Sequence, residues 1–190
     1  KDITQEKIYE SKLTKITNYD SLTGLASQYL FKSYLKHILL KRDMNNKYVG
    51  VLKIDIDDFG NINNSLGHDI GDEVLQLVST KIHTFLRQED LIGRFESDLL
   101  SRFGGDEFGV IIEDLQHKED LIIIASRIIS DFNKLIILKN GFELYLSISI
   151  GISVVPYGSS AAEEVIDFAY IALRNTKAVQ KGGFMFYDDT

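Results

Sequence analysis

Apolar residues recur along this chain in alternating helical and strand periods. Ile3, Ile8, Leu13 and Ile16 fall near a period of about 3.6, which predicts one helix over residues 1–19. Such a stripe either packs on the helix's own domain or ends a coiled-coil connector, and so few turns leave both readings open. A second helix follows Leu25, with Leu30, Phe31, Tyr34, Leu35, Ile38 and Leu39 at helical spacing and Asn45 and Asn46 ending the region. Tyr48–Ile56 has the length and character of a strand, interrupted by Lys53. Val74, Leu75, Val78, Ile82 and Leu86 predict a helix from about Asp69 to Leu86. Phe108–Ile112 then reads as a strand and Glu119–Phe132 as a helix.

Asn140-Gly141 is a hairpin signal between Leu135–Leu138 and the strand that follows. In that strand Leu144, Leu146, Ile148, Ile150 and Ile152 face one way, and Tyr145, Ser147, Ser149 and Ser153 the other. Ser160 and Glu163 have capping-box spacing ahead of a last helix that runs to about Gln180, and Phe184–Tyr187 forms a final short strand. The order is β-α-β-β-α-β with additions. It predicts an α+β, ferredoxin-like (palm-type) core with an antiparallel-rich central sheet flanked by helices. An N-terminal helix and a C-terminal hairpin, helix and strand extend it.

Composition narrows the function. The 190 residues are 44% hydrophobic and 26% charged, enough for one well-buried core and too few for a second. A net charge of −7 disfavours nucleic acid as a partner, because that binding needs a positive footprint. A phosphate ligand would need a local cation or a metal. The absence of cysteine excludes disulfides and thiolate metal sites and fits a reducing cytoplasm. No apolar run approaches the roughly 20 residues that cross a bilayer, Leu121–Ile124 being far too short, so no direct membrane contact is expected. The chain begins at Lys1 rather than Met. It is expected to be an excised fragment, with room for an upstream anchor or sensor.

Two acidic groups carry candidate chemistry. Asp55 and Asp57 end the first apolar strand, and strand alternation puts both on one face, where a divalent cation would relieve their repulsion. A solvated acidic strand end explains the same residues. Gly104-Gly105-Asp106-Glu107-Phe108 lies between two apolar segments and should form a hairpin turn, the glycines supplying positive φ. If the neighbouring strand carries Asp55, then Asp55, Asp106 and Glu107 bring three hard oxygen donors together, suited to magnesium bound with substrate phosphates. An ordinary surface hairpin is the alternative. Asp90-Leu91-Ile92-Gly93-Arg94-Phe95 recurs as Asp98-Leu99-Leu100-Ser101-Arg102-Phe103, a local duplication too short for a solenoid.

Gly104–Phe108 resembles the signature of the GGDEF diguanylate cyclase family, and four further blocks resemble the family's in order. They are Asp20-Ser21-Leu22-Thr23-Gly24-Leu25; Asp55-Ile56-Asp57 through Asn63, Gly67-His68 and Gly71-Asp72; Ser149-Ile150-Gly151-Ile152; and Ala172-Leu173 through Lys177. The resemblance covers about residues 18–188, so residues 1–19 read as a connector helix and 20–188 as the GGDEF domain. It implies condensation of two GTP into cyclic di-GMP and pyrophosphate, with each domain of a homodimer holding one GTP. It also implies roles. Asp55 and Asp106 would bind magnesium, with manganese as a substitute, joined by the Ile56 carbonyl. Glu107 would be a further ligand or help deprotonate the attacking 3′-hydroxyl. Asn63 and Asp72 would read the guanine edge, backbone amides at Phe59 and Gly60 would meet phosphate, and Lys177 and Lys181 would grip the triphosphate. His68 is structural in this resemblance.

The sequence departs from the family in places. Gly60 stands where a lysine usually follows Phe59, Ser27-Gln28 replaces Asn-Arg, and Arg174, Thr176 and Gln180 differ in the last helix. The family's inhibitory product site matches Arg87-Gln88-Glu89-Asp90 counted from Asp72. Counted back from Gly104 it falls on Phe95 and Asp98, without the arginine. The duplication separates the two frames and puts feedback inhibition in doubt. Phe184-Met185-Phe186-Tyr187-Asp188 resembles the junction before a phosphodiesterase (EAL) domain. A weakly active or inactive GTP-binding regulatory module of a larger sensor is therefore the competing reading, and a purely dimerising module a third.

Overall fold

β1 (Tyr48–Ile56) runs through the middle of the fold. The structure is a computed structural model and describes residues 3–41, 46–87, 99–158 and 161–188. Before β1 come α1 (Ile3–Asn18) and α2 (Gln28–Leu39); after it come α3 (Phe59–Leu66) and α4 (His68–Leu86). β2 (Leu99–Gly104) and β3 (Glu107–Leu115) form a hairpin. Next are α5 (Asp120–Phe132), β4 (Lys134–Ile137), β5 (Glu143–Leu146) and β6 (Ile148–Pro156), with α6 (Ala162–Val179) and β7 (Phe184–Phe186) last. The main sheet has the order β2-β3-β1-β6-β7, antiparallel except where β7 joins β6 in parallel. β3 lies between β1 and β2, the split βαβ arrangement, so the expected ferredoxin-like core is present. β4 and β5 make a separate two-stranded sheet.

β1 divides the core by residue parity. Leu52, Ile54 and Ile56 pack with Val74, Val78 and Ile82 of α4 and Leu121, Ile124 and Ile128 of α5. Val49 and Val51 point the other way, into a cluster with Phe31, Leu35 and Ile38 of α2 and Val165 and Ala169 of α6. With both faces covered, the strand reads as a nearly unbroken apolar run. The next odd positions are Lys53 and Asp55. The parity that buries the valines thus carries two charged side chains toward the α2–α6 layer.

Several local expectations differ from the structure. α3 carries no long apolar stripe; it is a short helix separated from α4 by Gly67, whose φ of 92 and ψ of 162 break the helical path. The strand expected over residues 144–153 is two strands in two sheets, β5 and β6, divided at Ser147. β6 is also covered on its serine face. Ser153 is buried and donates to the Val165 carbonyl at 2.7 Å, so the alternation of apolar and hydroxyl side chains does not mark a solvated face. α6 begins after Ala161, which has no side-chain capping bond, rather than with a capping box; Ser160 lies outside the described residues. Along α1, Ile3, Ile8 and Leu13 are exposed, so these three positions are not packed against the domain. In α2, Leu30 and Tyr34 are half-buried while Phe31, Leu35, Ile38 and Leu39 form the buried face.

Gly151 of β6 sets how closely α6 approaches the sheet. A Cβ there would fall 2.1 Å from the Leu173 nitrogen and 2.2 Å from the Ala169 carbonyl oxygen, both main-chain atoms of α6. Gly151→Ala must therefore push the helix off the sheet, and urea unfolding should show a loss of about 3 kcal/mol or more. A loss below about 1 kcal/mol would mean the helix yields freely.

Candidate active site

The site is built where β1 ends against the β2–β3 turn. Asp55 lies opposite Glu107 on β3 and Ser149 on β6. Gly104 and Gly105 hold φ values of 115 and 54, so the turn bends in a conformation that side-chain-bearing residues rarely adopt. The bend sets Asp106 beside the end of β1, where the Ile56 amide donates to the Asp106 carbonyl at 3.4 Å.

Arg102 braces this turn from behind. Its Nε and Nη2 donate to the Gly105 carbonyl at 3.1 and 2.8 Å, and its Nη1 to Asp20 Oδ1 at 2.9 Å. The other Asp20 oxygen accepts from the Thr23 amide at 2.8 Å and the Thr23 hydroxyl at 2.7 Å. Burial pushes the Asp20 carboxyl up, but the bonds from Thr23 and Arg102 and the guanidinium charge outweigh it and hold the group below its ordinary value. In the sequence Arg102 stands out only as part of the duplication. Its pairing with Asp20 spans 82 residues and has no local signal.

Asp55 is the most perturbed carboxyl of the site, pushed up to about 7. Burial is the largest cause, and the neighbouring Asp106 carboxyl adds to it; the Lys177 ammonium, 2.5 Å from Oδ2, pulls the other way without prevailing. Asp55 Oδ1 is buried and has no hydrogen-bond partner. A buried carboxylate oxygen facing a second carboxyl is what a hard divalent cation relieves, so Asp55 and Asp106 fit one. Glu107 does not complete a triad: its Oε2 is held 3.3 Å from Lys53 Nζ. Among the described residues no three acidic or histidine side chains gather around one point, so the expected meeting of Asp55, Asp106 and Glu107 is reduced to a pair. Burial pulls the Lys53 ammonium below the ordinary lysine range, with Glu107 and Asp55 opposing.

Asp57 also departs from expectation. β1 ends at Ile56 and Asp58 takes a left-handed conformation with φ of 57, so strand alternation does not extend to Asp57. Its carboxylate turns to β6 and accepts from the Ser147 and Ser149 hydroxyls at 2.6 and 2.7 Å. It is a buried, satisfied anchor rather than a partner of Asp55.

The other expected residues surround this corner. Phe59 is buried at the start of α3, and Gly60 is exposed beside it. The first amides of a helix have no acceptor within it, so those of Phe59 and Gly60 lack an intrahelical partner. Asn63 packs directly on α4: a Cβ at Gly71 would lie 1.8 Å from Asn63 Oδ1. Gly71 therefore lets the two helices close, and Asp72, the next residue, is exposed at the same crossing. Lys177 lies in the last turn of α6, and Lys181 follows two residues past the helix end, bonded to Asp58 Oδ1 at 2.7 Å. His68 begins α4 and is exposed. Arg87 is the exposed C-cap of α4, whereas Gln88–Asp90, Phe95 and Asp98 lie outside the described residues together with most of the duplication. Asp57, Asp58, Asn61, Ser65, Tyr145 and Ser147 help line a cavity of about 590 Å³, and neither Asn63 nor Asp72 lines it.

Residues 17–182 match the family described as "Diguanylate cyclase, GGDEF domain". The chain belongs to the GGDEF domain family. It is 33% identical over 172 residues to diguanylate cyclase TpbB of Pseudomonas aeruginosa, covering 90% of this chain and 38% of that protein. It is also 33% identical over 177 residues to the cyclic di-GMP phosphodiesterase NbdA of the same organism, covering 93% of this chain and 21% of that protein. The chain thus spans well under half the length of these relatives. A solved structure of TpbB comprising only its GGDEF domain superposes with a TM-score of 0.80 at 32% identity, over 90% of this chain and 94% of that one. The fold and the family of this GGDEF domain agree. No described helix is long and apolar enough to cross a membrane.

The Asp55 carboxyl makes the metal-free stability of this GGDEF domain pH-dependent. Between its usual 3.8 and about 7 the folded chain binds more protons than the unfolded one, so stability falls as pH rises through that window. Asp55→Asn removes this slope. In EDTA its melting temperature should rise relative to the unsubstituted chain on going from pH 5 to about pH 8. Parallel melting curves for the two proteins would contradict the assignment.

Proposed function

We propose that this GGDEF domain is a diguanylate cyclase that joins two GTP into cyclic di-GMP, releasing pyrophosphate, as one half of a homodimer. The observation that carries this reading is the buried, unpartnered Asp55 oxygen beside Asp106 at the foot of the Gly-Gly-Asp-Glu-Phe turn. Family membership and the likeness to TpbB support it. Asp55 and Asp106, with the Ile56 carbonyl, would hold magnesium or manganese. When bound, the ion polarises the α-phosphate, lowers the 3′-hydroxyl's pKa and offsets growing charge.

The chain's own residues do the rest. Asn63, seated against Gly71, and Asp72 would hold the guanine edge; a carboxylate at Asp72 accepts from N1–H and the 2-amino group, a pair that adenine does not present. The amides at Phe59 and Gly60 would face the phosphates. Lys177 and Lys181 are paired with Asp55 and Asp58 in the free chain and would pass to the triphosphate as nucleotide enters. Glu107 would accept the proton of the attacking hydroxyl or join the metal. The reaction belongs to second-messenger signalling in bacteria, and a cytoplasmic setting supplies its GTP.

A second reading rests on a specific observation: relatives named as phosphodiesterases include NbdA, and the chain spans only 21% of it. In this reading the domain binds GTP and regulates a larger protein with little turnover of its own.

Chromatography of nucleotides after incubation with GTP and magnesium separates the two. The cyclase reading expects cyclic dinucleotide, a rate per domain that falls on dilution, and a loss of at least about a hundredfold in Asp106→Ala. Tight GTP binding without product supports the regulatory module instead. Asp72→Ala should weaken GTP binding about tenfold while leaving ATP binding unchanged. Equal losses for both nucleotides would remove Asp72 from guanine recognition.

A further inference from the structure

Lys53 is an unusual residue for the centre of a buried strand. Its side chain is only 3% exposed, and the residues directly across from it on both neighbouring strands are glycines, Gly109 and Gly151. The clearance has a use. A Cβ at Gly109 would lie 2.6 Å from the Phe103 ring and 2.9 Å from that of Phe31, so glycine lets Phe103 settle close to the sheet. The Lys53 ammonium sits 3.6 Å from the centroid of the Phe103 ring, and its nitrogen bonds to Glu107 Oε2 at 3.3 Å. Burying an ammonium this fully is unfavourable compared with an apolar residue of similar volume, and stability alone gives no reason for it.

We propose that Lys53 is a positioning residue that holds Glu107 by one carboxylate oxygen, keeping that oxygen from the metal and aiming the other into the site. Two lysines divide the acidic set. Lys177 reaches Asp55 from the partly exposed end of α6, where it is free to leave, whereas Lys53 is fixed within the sheet beneath Phe103. Glu107 is thereby left with one free oxygen to offer at the Asp55–Asp106 corner. The catalytic consequence rests on the cyclase reading; the positioning does not.

Lys53→Met removes the charge and retains the length and apolar stem. In crystals of the metal-free protein, the Glu107 carboxylate should leave its place or spread over several conformers; an unmoved carboxylate overturns the proposal. In solution, with the ammonium gone and both Glu107 oxygens released, Mn2+ should bind about three- to tenfold more tightly. The same change should lower kcat for cyclic dinucleotide about tenfold and leave KM for GTP within about twofold. General damage to the fold would weaken all three together, and unchanged or weaker Mn2+ binding overturns the inference. The tightening should vanish in the Lys53→Met, Glu107→Gln double variant, and its persistence there would show that Lys53 acts on another group. If Lys53→Met unfolds, Lys53→Gln serves for the same measurements. A parent chain that makes no product would defeat the cyclase reading while the Glu107 position and the Mn2+ comparison still decide the role of Lys53.

Discussion

A carboxylate driven into the end of a buried strand needs a cation, and the site is arranged around that need at Asp55. Burial and the facing Asp106 carboxyl push Asp55 up to about 7, although an ammonium already touches it. One lysine does not neutralise the pair. The unpartnered oxygen marks the remaining demand, and a hard divalent ion meets it without the entropy of ordering another long side chain. The chain's net charge of −7 gives no general attraction for a triphosphate, so the proposed substrate would need a local cation as well.

The sheet creates this situation by parity and register. Val49 and Val51 are buried against α2 and α6, and the same row of β1 delivers Lys53 and Asp55 to that layer. Antiparallel pairing with β3 puts Glu107 opposite Asp55, and the two-glycine turn carries Asp106 around the strand end. Arg102 fixes the turn to the loop at Asp20–Thr23, just after α1. On the other edge, Gly71 lets α3 and α4 close so that Asn63 and residue 72 share one crossing. Register, glycines and the Arg102 brace meet these positional requirements, rather than the Asp55, Asp106 and Glu107 carboxylates themselves.

Much of this was legible from the chain. The βαββαβ order follows from long periodic segments such as Val74–Leu86 and from the Asn140-Gly141 turn, whose signals are local. The acidic turn was visible as chemistry, while the nucleotide roles of Asn63, Asp72, Lys177 and Lys181 came from family resemblance. Other features depend on tertiary contacts. α3 spaces Phe59, Ile62 and Leu66 helically but over only eight residues, and the split at Ser147 is set by which sheet each half joins. Asp57 escapes the alternation rule because it lies one residue past the end of β1, where the left-handed Asp58 redirects the chain. Lys53 looked like an interruption because its partners, Phe103 and Glu107, lie about fifty residues away.

The central claim is that the Asp55–Asp106 pair seats a divalent cation against a guanosine triphosphate while Lys177 gives up its place on Asp55. Crystals grown with Mn2+ and a non-reacting GTP analogue, measured for anomalous scattering, test it most directly. The account predicts manganese between the Asp55 and Asp106 carboxylates, guanine beside Asn63 and Asp72, and the Lys177 ammonium moved to phosphate. Manganese absent from that corner, with Lys177 still on Asp55 and the nucleotide bound elsewhere, would contradict it.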